Sequence, residues 1–130
     1  MLVDSHCHLD FPDFQDQLDA VVARARAAGV GRLVTISTRV RKLDGLLAIT
    51  DRFPEVYCSV GTHPHHAHEE FDFTAADLVS HTRHPKVVAI GEAGLDYHYD
   101  NSPVEKQEQV QHLQQLVAWQ PVVHPERAYN

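Results

Sequence analysis

Basic residues are scarce and never clustered. Lys and Arg number 11 against 18 Asp and Glu, a formal net charge of −7 with the histidines neutral, which argues against a broad basic groove tracking a nucleic-acid backbone. Phosphate-bearing substrates stay open, because bound divalent cations set the field of a site whatever the net charge. Cysteine is equally sparse. Cys7 and Cys58 are too few for a disulfide scaffold and read as reduced thiols. No apolar run approaches the roughly 18 residues that cross a bilayer, and the opening Met-Leu-Val-Asp-Ser-His has neither the basic nor the apolar region of a signal peptide. The expectation is a soluble cytoplasmic protein with no membrane partner. Also missing are a Gly-x-Ser-x-Gly turn and a glycine-rich phosphate loop with its lysine, so a side-chain nucleophile of the first kind and nucleotide cradling of the second have no support.

What the chain does contain is enough apolar material for one core. Its 130 residues are 43% hydrophobic and 22% charged, which fits a single globular domain over residues 1–130 and excludes a disordered chain. Short β-type runs alternate with helical patterns. Strands are expected at Leu2 to Leu9, Leu33 to Ser37, Val56 to Gly61, Val87 to Glu92 and Pro121 to His124. Between them the periodicity predicts helices from about Gln15 to Ala28, around Leu43 to Ile49, from Ala75 to His84 with Thr74 as cap, and after Ser102-Pro103 with Val110, Leu113, Leu116 and Val117 as its apolar stripe. Gly29 suits the left-handed turn that ends the first helix. Five strands alternating with four helices predict parallel pairing through right-handed crossovers.

The eleven histidines fall where such an array concentrates chemistry. In Asp4-Ser5-His6-Cys7-His8 the strand alternation puts His6 and His8 on one face, with Asp4 beside them to orient a ring and Cys7 turned away. Two imidazoles from one rigid strand suit zinc or another first-row divalent metal. Glu92 and His124 also close strands, so His6, His8, Glu92 and His124 form a candidate ligand set at the strand C-termini, the functional rim of β/α barrels. Taken singly, each could be a solvated strand-end residue; their shared position favours a metal site. His63, directly after the third strand, is a candidate for substrate contact or proton transfer. His65 is open between a substrate contact and a surface position, and Asp96 is a candidate supporting group. His66 and His68 are expected to be exposed, and His81, His84, His98 and His112 to be ordinary helix or loop residues. With no side-chain nucleophile in evidence, water activated between two divalent ions, attacking phosphorus or a carbonyl, is the chemistry these residues suit.

Three motifs, Asp-Ser-His-Cys-His-Leu-Asp at 4–10, Gly-Thr-His-Pro-His at 61–65 and Gly-Glu-Ala-Gly-Leu-Asp-Tyr at 91–97, resemble the TatD family of metal-dependent deoxyribonucleases within the amidohydrolase superfamily. The resemblance covers roughly residues 1 to 110. It implies a TIM-type β/α barrel, a divalent-metal centre with magnesium, manganese or zinc, and hydrolysis of phosphodiester bonds in DNA, typically by an exonuclease in the cytoplasm. The family's metal-binding pair maps onto His6 and His8 and its bridging glutamate onto Glu92. Its next histidine maps onto His124 in Pro121-Val122-Val123-His124, with one strand residue fewer than the family pattern. A complete barrel of this type takes about 250 residues and eight strands, so these 130 residues are expected to supply about five strands and four helices of it. The family's last metal-binding histidine and its strand-eight aspartate have no counterpart here.

Two rival readings accompany this one. A fragment with open sheet edges could bind metal, or a partner along an edge, without turnover. An amidohydrolase that opens C–N bonds could share the first-strand motif, but the loop at 61–65 and the segment at 91–97 argue against it.

Overall fold

The computed structural model describes residues 1–118. Four strands, β1 (Leu2–Cys7), β2 (Val30–Thr35), β3 (Val56–Val60) and β4 (Val87–Ile90), pair in the order β1-β2-β3-β4, every pair parallel. The helices are α1 (Leu18–Ala27), α2 (Leu43–Arg52), the single turn α3 (Ala67–Glu70), α4 (Ala75–Thr82) and α5 (Val104–Ala118). Three short 3-10 turns, Pro12–Phe14, Val40–Lys42 and Pro64–His66, sit on the connections that follow β1, β2 and β3. Sequential parallel strands joined by helical crossovers make an arc of a β/α barrel, as the alternating pattern requires. The expected fifth strand and His124 lie outside the described residues.

Local chemistry sets the element ends. Gly29 takes φ of 91° after α1, a conformation that costs glycine little. At α4 the Thr74 hydroxyl accepts the Asp77 amide while the Asp77 carboxylate accepts the Thr74 amide, so two otherwise orphaned donors are satisfied reciprocally. Ser102 does not cap α5 as its sequence position suggests. It is buried, and its hydroxyl accepts the His68 backbone N–H at 3.0 Å, while Pro103 accepts from Lys106 and Gln107.

Two apolar clusters hold the layers together. Leu9, Leu18, Val22, Leu33, Ile49, Phe53 and Val56 pack α1 and the end of α2 onto β2 and β3. Val40, Leu43, Leu46, Cys58, Val60, Leu78, Val87 and Val117 join α2, α4 and α5 to β3 and β4. The α5 stripe differs from expectation at one position. Val110 and Val117 are buried and Leu113 is partly buried, but Leu116 is 49% exposed, and Gln107 and Gln114 take the inner positions instead. Those glutamines bear on the site.

Candidate metal centre

The ends of β2, β3 and β4 are bonded to one another beneath the site. The Ser37 amide donates to Ser59 Oγ at 2.9 Å, the Ser59 hydroxyl to the Gly91 carbonyl at 2.7 Å, and the Ser37 hydroxyl to the Gly61 carbonyl at 2.7 Å. Both serines are fully buried, so each hydroxyl would carry a desolvation cost without these partners. The Gly91 amide continues the ladder to Val60, and the Glu92 amide reaches the Ser37 carbonyl at 2.8 Å. This network fixes the backbone of Glu92. Gly61 is required for it, because a Cβ there would lie 2.6 Å from Gln114 Oε1 and 2.7 Å from both the carbonyl carbon and oxygen of Gly91.

From that backbone the Glu92 carboxylate reaches the two first-strand histidines. Glu92 Oε2 lies 3.8 Å from His6 Nε2 and 3.9 Å from His8 Nε2. These separations exceed a hydrogen bond and are somewhat wider than the roughly 3.4 Å between two ligand atoms of one tetrahedral ion. The donor atoms of His6, His8 and Glu92 all lie within 4.8 Å of one another, so modest side-chain movements would close the set on one cation. The His6 side chain is 53% exposed while those of His8 and Glu92 are mostly covered, which leaves a solvent-facing side open. His8 Nδ1 is buried with no hydrogen-bond partner among the described residues, and the ring stacks on Phe11 with centroids 4.5 Å apart. Two imidazoles and a carboxylate form a borderline donor set suited to zinc or manganese.

The strand alternation is confirmed by where the side chains go. His6 and His8 face Glu92, while Cys7 packs against the apolar cluster that contains Leu9, Leu18 and Leu33, where burial pushes its thiol up to about 12. Asp4 departs from its expected role. Its carboxylate accepts the backbone N–H of His6 at 3.1 Å rather than an imidazole proton, since a short side chain two residues back meets the amide first.

His63 lies on the other oxygen of the carboxylate, with Nε2 3.3 Å from Glu92 Oε1. Its Nδ1 accepts the His65 amide at 3.0 Å, so the neutral ring carries its proton on Nε2, directed at the site. Burial lowers its pKa, and the Glu92 charge partly opposes that shift. His65 turns to Asp96, whose carboxylate also accepts the His98 and Tyr99 amides; these bonds, the His65 contact foremost, hold the Asp96 pKa down. His66 differs from expectation, being half-buried with Nδ1 3.1 Å from Arg39. His68 is exposed, although it contacts Ser102.

The sequence pattern missed the support supplied by α5. Gln107, Gln111 and Gln114 recur at i, i+4 and i+7, one helical face. Gln114 accepts the Thr62 amide at 2.7 Å and donates to the Glu92 carbonyl at 3.3 Å, Gln111 accepts the Gly94 amide, and Gln107 both accepts from and donates to the Asp96 backbone. Three amides thus clamp the segment from Glu92 to Asp96. The signal was present as glutamine at helical spacing on an otherwise apolar stripe.

Parallel β/α architecture with a His/His/Glu donor cluster at the strand C-termini is the arrangement of metal-dependent hydrolases of the barrel class. Comparison with known proteins makes the assignment specific: the chain belongs to the TatD related DNase family, whose sequence model matches residues 3–120. It is 34% identical over 108 residues to the uncharacterized metal-dependent hydrolase YjjV of Escherichia coli K12, covering 82% of this chain and 42% of that protein. It is 38% identical over 95 residues to a protein of Cronobacter turicensis named 3'-5' ssDNA/RNA exonuclease TatD, covering 73% of this chain and 36% of that one. The crystal structure of E. coli YjjV superposes with a TM-score of 0.81 at 32% identity, over 91% of this chain and 46% of YjjV. The chain therefore spans under half the length of these relatives. Among the described residues no helix is long and apolar enough to cross a membrane.

Proposed function

We infer that this chain carries the first part of a divalent-metal centre that hydrolyses phosphodiester bonds in DNA, as a deoxyribonuclease of exonuclease type. The observation that carries this reading is the meeting of His6, His8 and Glu92 from the two edge strands, β1 and β4, with His63 beside the same carboxylate. Relatives named as ssDNA/RNA exonucleases supply the substrate class. Magnesium, manganese or zinc, two ions by the family resemblance, would be held by His6, His8 and Glu92, with His124 as the further candidate donor. When bound, such ions supply water activation and neutralise charge on the phosphoryl oxygens.

The chain's own residues set the remaining chemistry. Glu92 is held by its backbone, through Ser37 and Gln114, so its carboxylate meets the ligands with little reorganisation. His63 presents an Nε2 proton beside that carboxylate and serves as a donor to a phosphoryl oxygen. Asp96 holds His65 at the rim one step further out.

The test is manganese-dependent release of nucleotides from a single-stranded oligonucleotide. The parent releases them and Glu92→Gln does not, while His63→Gln lowers kcat more than it changes KM. Release that is insensitive to chelator, or to Glu92→Gln, contradicts the reading, as does a parent that binds no manganese.

A further inference from the structure

Beside the metal centre, on the same rim, lies a cavity of about 330 Å³ between the segments that follow β1 and β2. That volume is at the lower end of the range typical of small-molecule sites, about 300–1,000 Å³. Phe11 forms one wall. The residue is 41% exposed although its ring stacks nearly parallel on His8, at an interplanar angle of 15°, so the aromatic surface that borders the cavity continues directly from a candidate metal ligand. Arg39 and Lys42 also line it. They are not equivalent. The Arg39 guanidinium is committed to Glu69 at 2.7 Å and to His66 at 3.1 Å, whereas Lys42 is exposed and makes no ion pair within 4.0 Å among the described residues. Asp10 and Thr38 complete the polar lining with a carboxylate and a hydroxyl, suited to an exocyclic amine or a sugar hydroxyl.

A partly exposed aromatic residue, one cation that faces Asp10 without an ion pair within 4.0 Å among the described residues, and two hydrogen-bonding groups within one cavity match a nucleotide of a single strand better than a duplex. A base stacks on an aromatic face whatever its sequence, and a lysine meets the adjoining phosphate. A duplex would need a wide basic surface, and the chain's charge of −7 supplies none. We propose that this cavity is a subsite for the unpaired nucleotide next to the scissile phosphate, its base stacking on Phe11 and its phosphate meeting Lys42. This rests on the phosphodiesterase reading above. It adds to that reading the reason a single strand would be preferred: the base must be unstacked from its neighbours to occupy the site.

The experiment is a fluorescence titration of a single-stranded oligonucleotide carrying 2-aminopurine, with calcium replacing manganese so that binding is read without turnover. The parent quenches the base on binding. Phe11→Leu, which keeps apolar contact with His8, binds about 5- to 100-fold more weakly and loses the quench, as removal of one stacked base predicts; Phe11→Tyr restores both. Lys42→Ala weakens binding and reduces the slope of log Kd against log salt by about 0.7, the loss of one phosphate contact on a single strand. Equal quenching by the parent and Phe11→Leu overturns the proposal, as does rescue by leucine, an unchanged salt slope in Lys42→Ala, or failure of the parent to bind. Manganese-dependent hydrolysis is scored separately, so a subsite that fails leaves the phosphodiesterase reading standing, and hydrolysis that fails leaves the quenching result to stand on its own.

Discussion

Gly61 shows how narrow the tolerances of the site are. A methyl group there would press on Gly91 backbone atoms at 2.7 Å, which cannot yield as a flexible side chain would. Gly61→Ala is expected to cost about 1–3 kcal/mol through overpacking and to weaken metal binding, because the displaced atoms belong to the residue before Glu92. Urea denaturation and metal titration of the same variant measure both effects. The meeting of His6, His8 and Glu92 was legible from sequence, since alternation along one strand suffices to bring the two histidines together and a carboxylate closing another strand reaches them. What could not be read was the apportioning of contacts among neighbours. Asp4 serves an amide instead of a ring, and His66 is drawn in by Arg39, because short-range hydrogen-bond geometry is decided by backbone positions that periodicity does not specify.

The element that departs most from its pattern is α5. An apolar stripe at Val110, Leu113, Leu116 and Val117 describes a helix lying on a hydrophobic sheet, yet the helix meets the polar backbone leaving β3 and β4 and answers it with Gln107, Gln111 and Gln114. Buried amides facing unpaired backbone groups win over a leucine there, because each orphaned group costs more than the leucine gains. Gln114→Leu, close in size and apolar, leaves the Thr62 amide without its acceptor and is expected to lose about 1–3 kcal/mol; a Leu116→Gln change on the exposed side should stay within about 0.5 kcal/mol. Chemical denaturation of the pair discriminates between the two faces. The strands were easier to read than this helix, since continuous apolar runs such as Leu33 to Ile36 and Val87 to Ile90 have few alternatives in a chain of this length. Strand ends moved by a residue or two where serines and glycines turn the backbone into the rim.

For the molecule as a whole, two groups outside the candidate ligand set contribute to the pH range of stability. Burial, with Arg39 beside it, depresses the His66 pKa, so the unfolded chain binds that proton more readily. Stability from this group is present above about pH 6.5 and is lost as pH falls through the lower folded value. Burial raises the Cys58 thiol from 9.0 to about 12. Its contribution is present below pH 9.0 and is lost as pH rises toward the folded value. The urea midpoint is therefore expected to form a plateau between about pH 6.5 and 9, with His66→Gln making the acid limb shallower and Cys58→Ala the alkaline limb, where Cys7 carries the rest. The arc of four parallel strands was legible because alternating β and α patterns admit few connections; the fit of the rim was not, because it depends on contacts between residues far apart in the chain, such as Ser37 with Ser59, 22 positions apart, and Thr62 with Gln114, 52 apart. If β1 and β4 together present one metal centre, calorimetric titration of the metal-stripped chain with manganese and zinc reads it out. Saturable binding in the parent, lost in both His6→Ala and Glu92→Ala while their urea midpoints stay near that of the parent, is the predicted result; absent binding, or binding that survives in both variants, contradicts it.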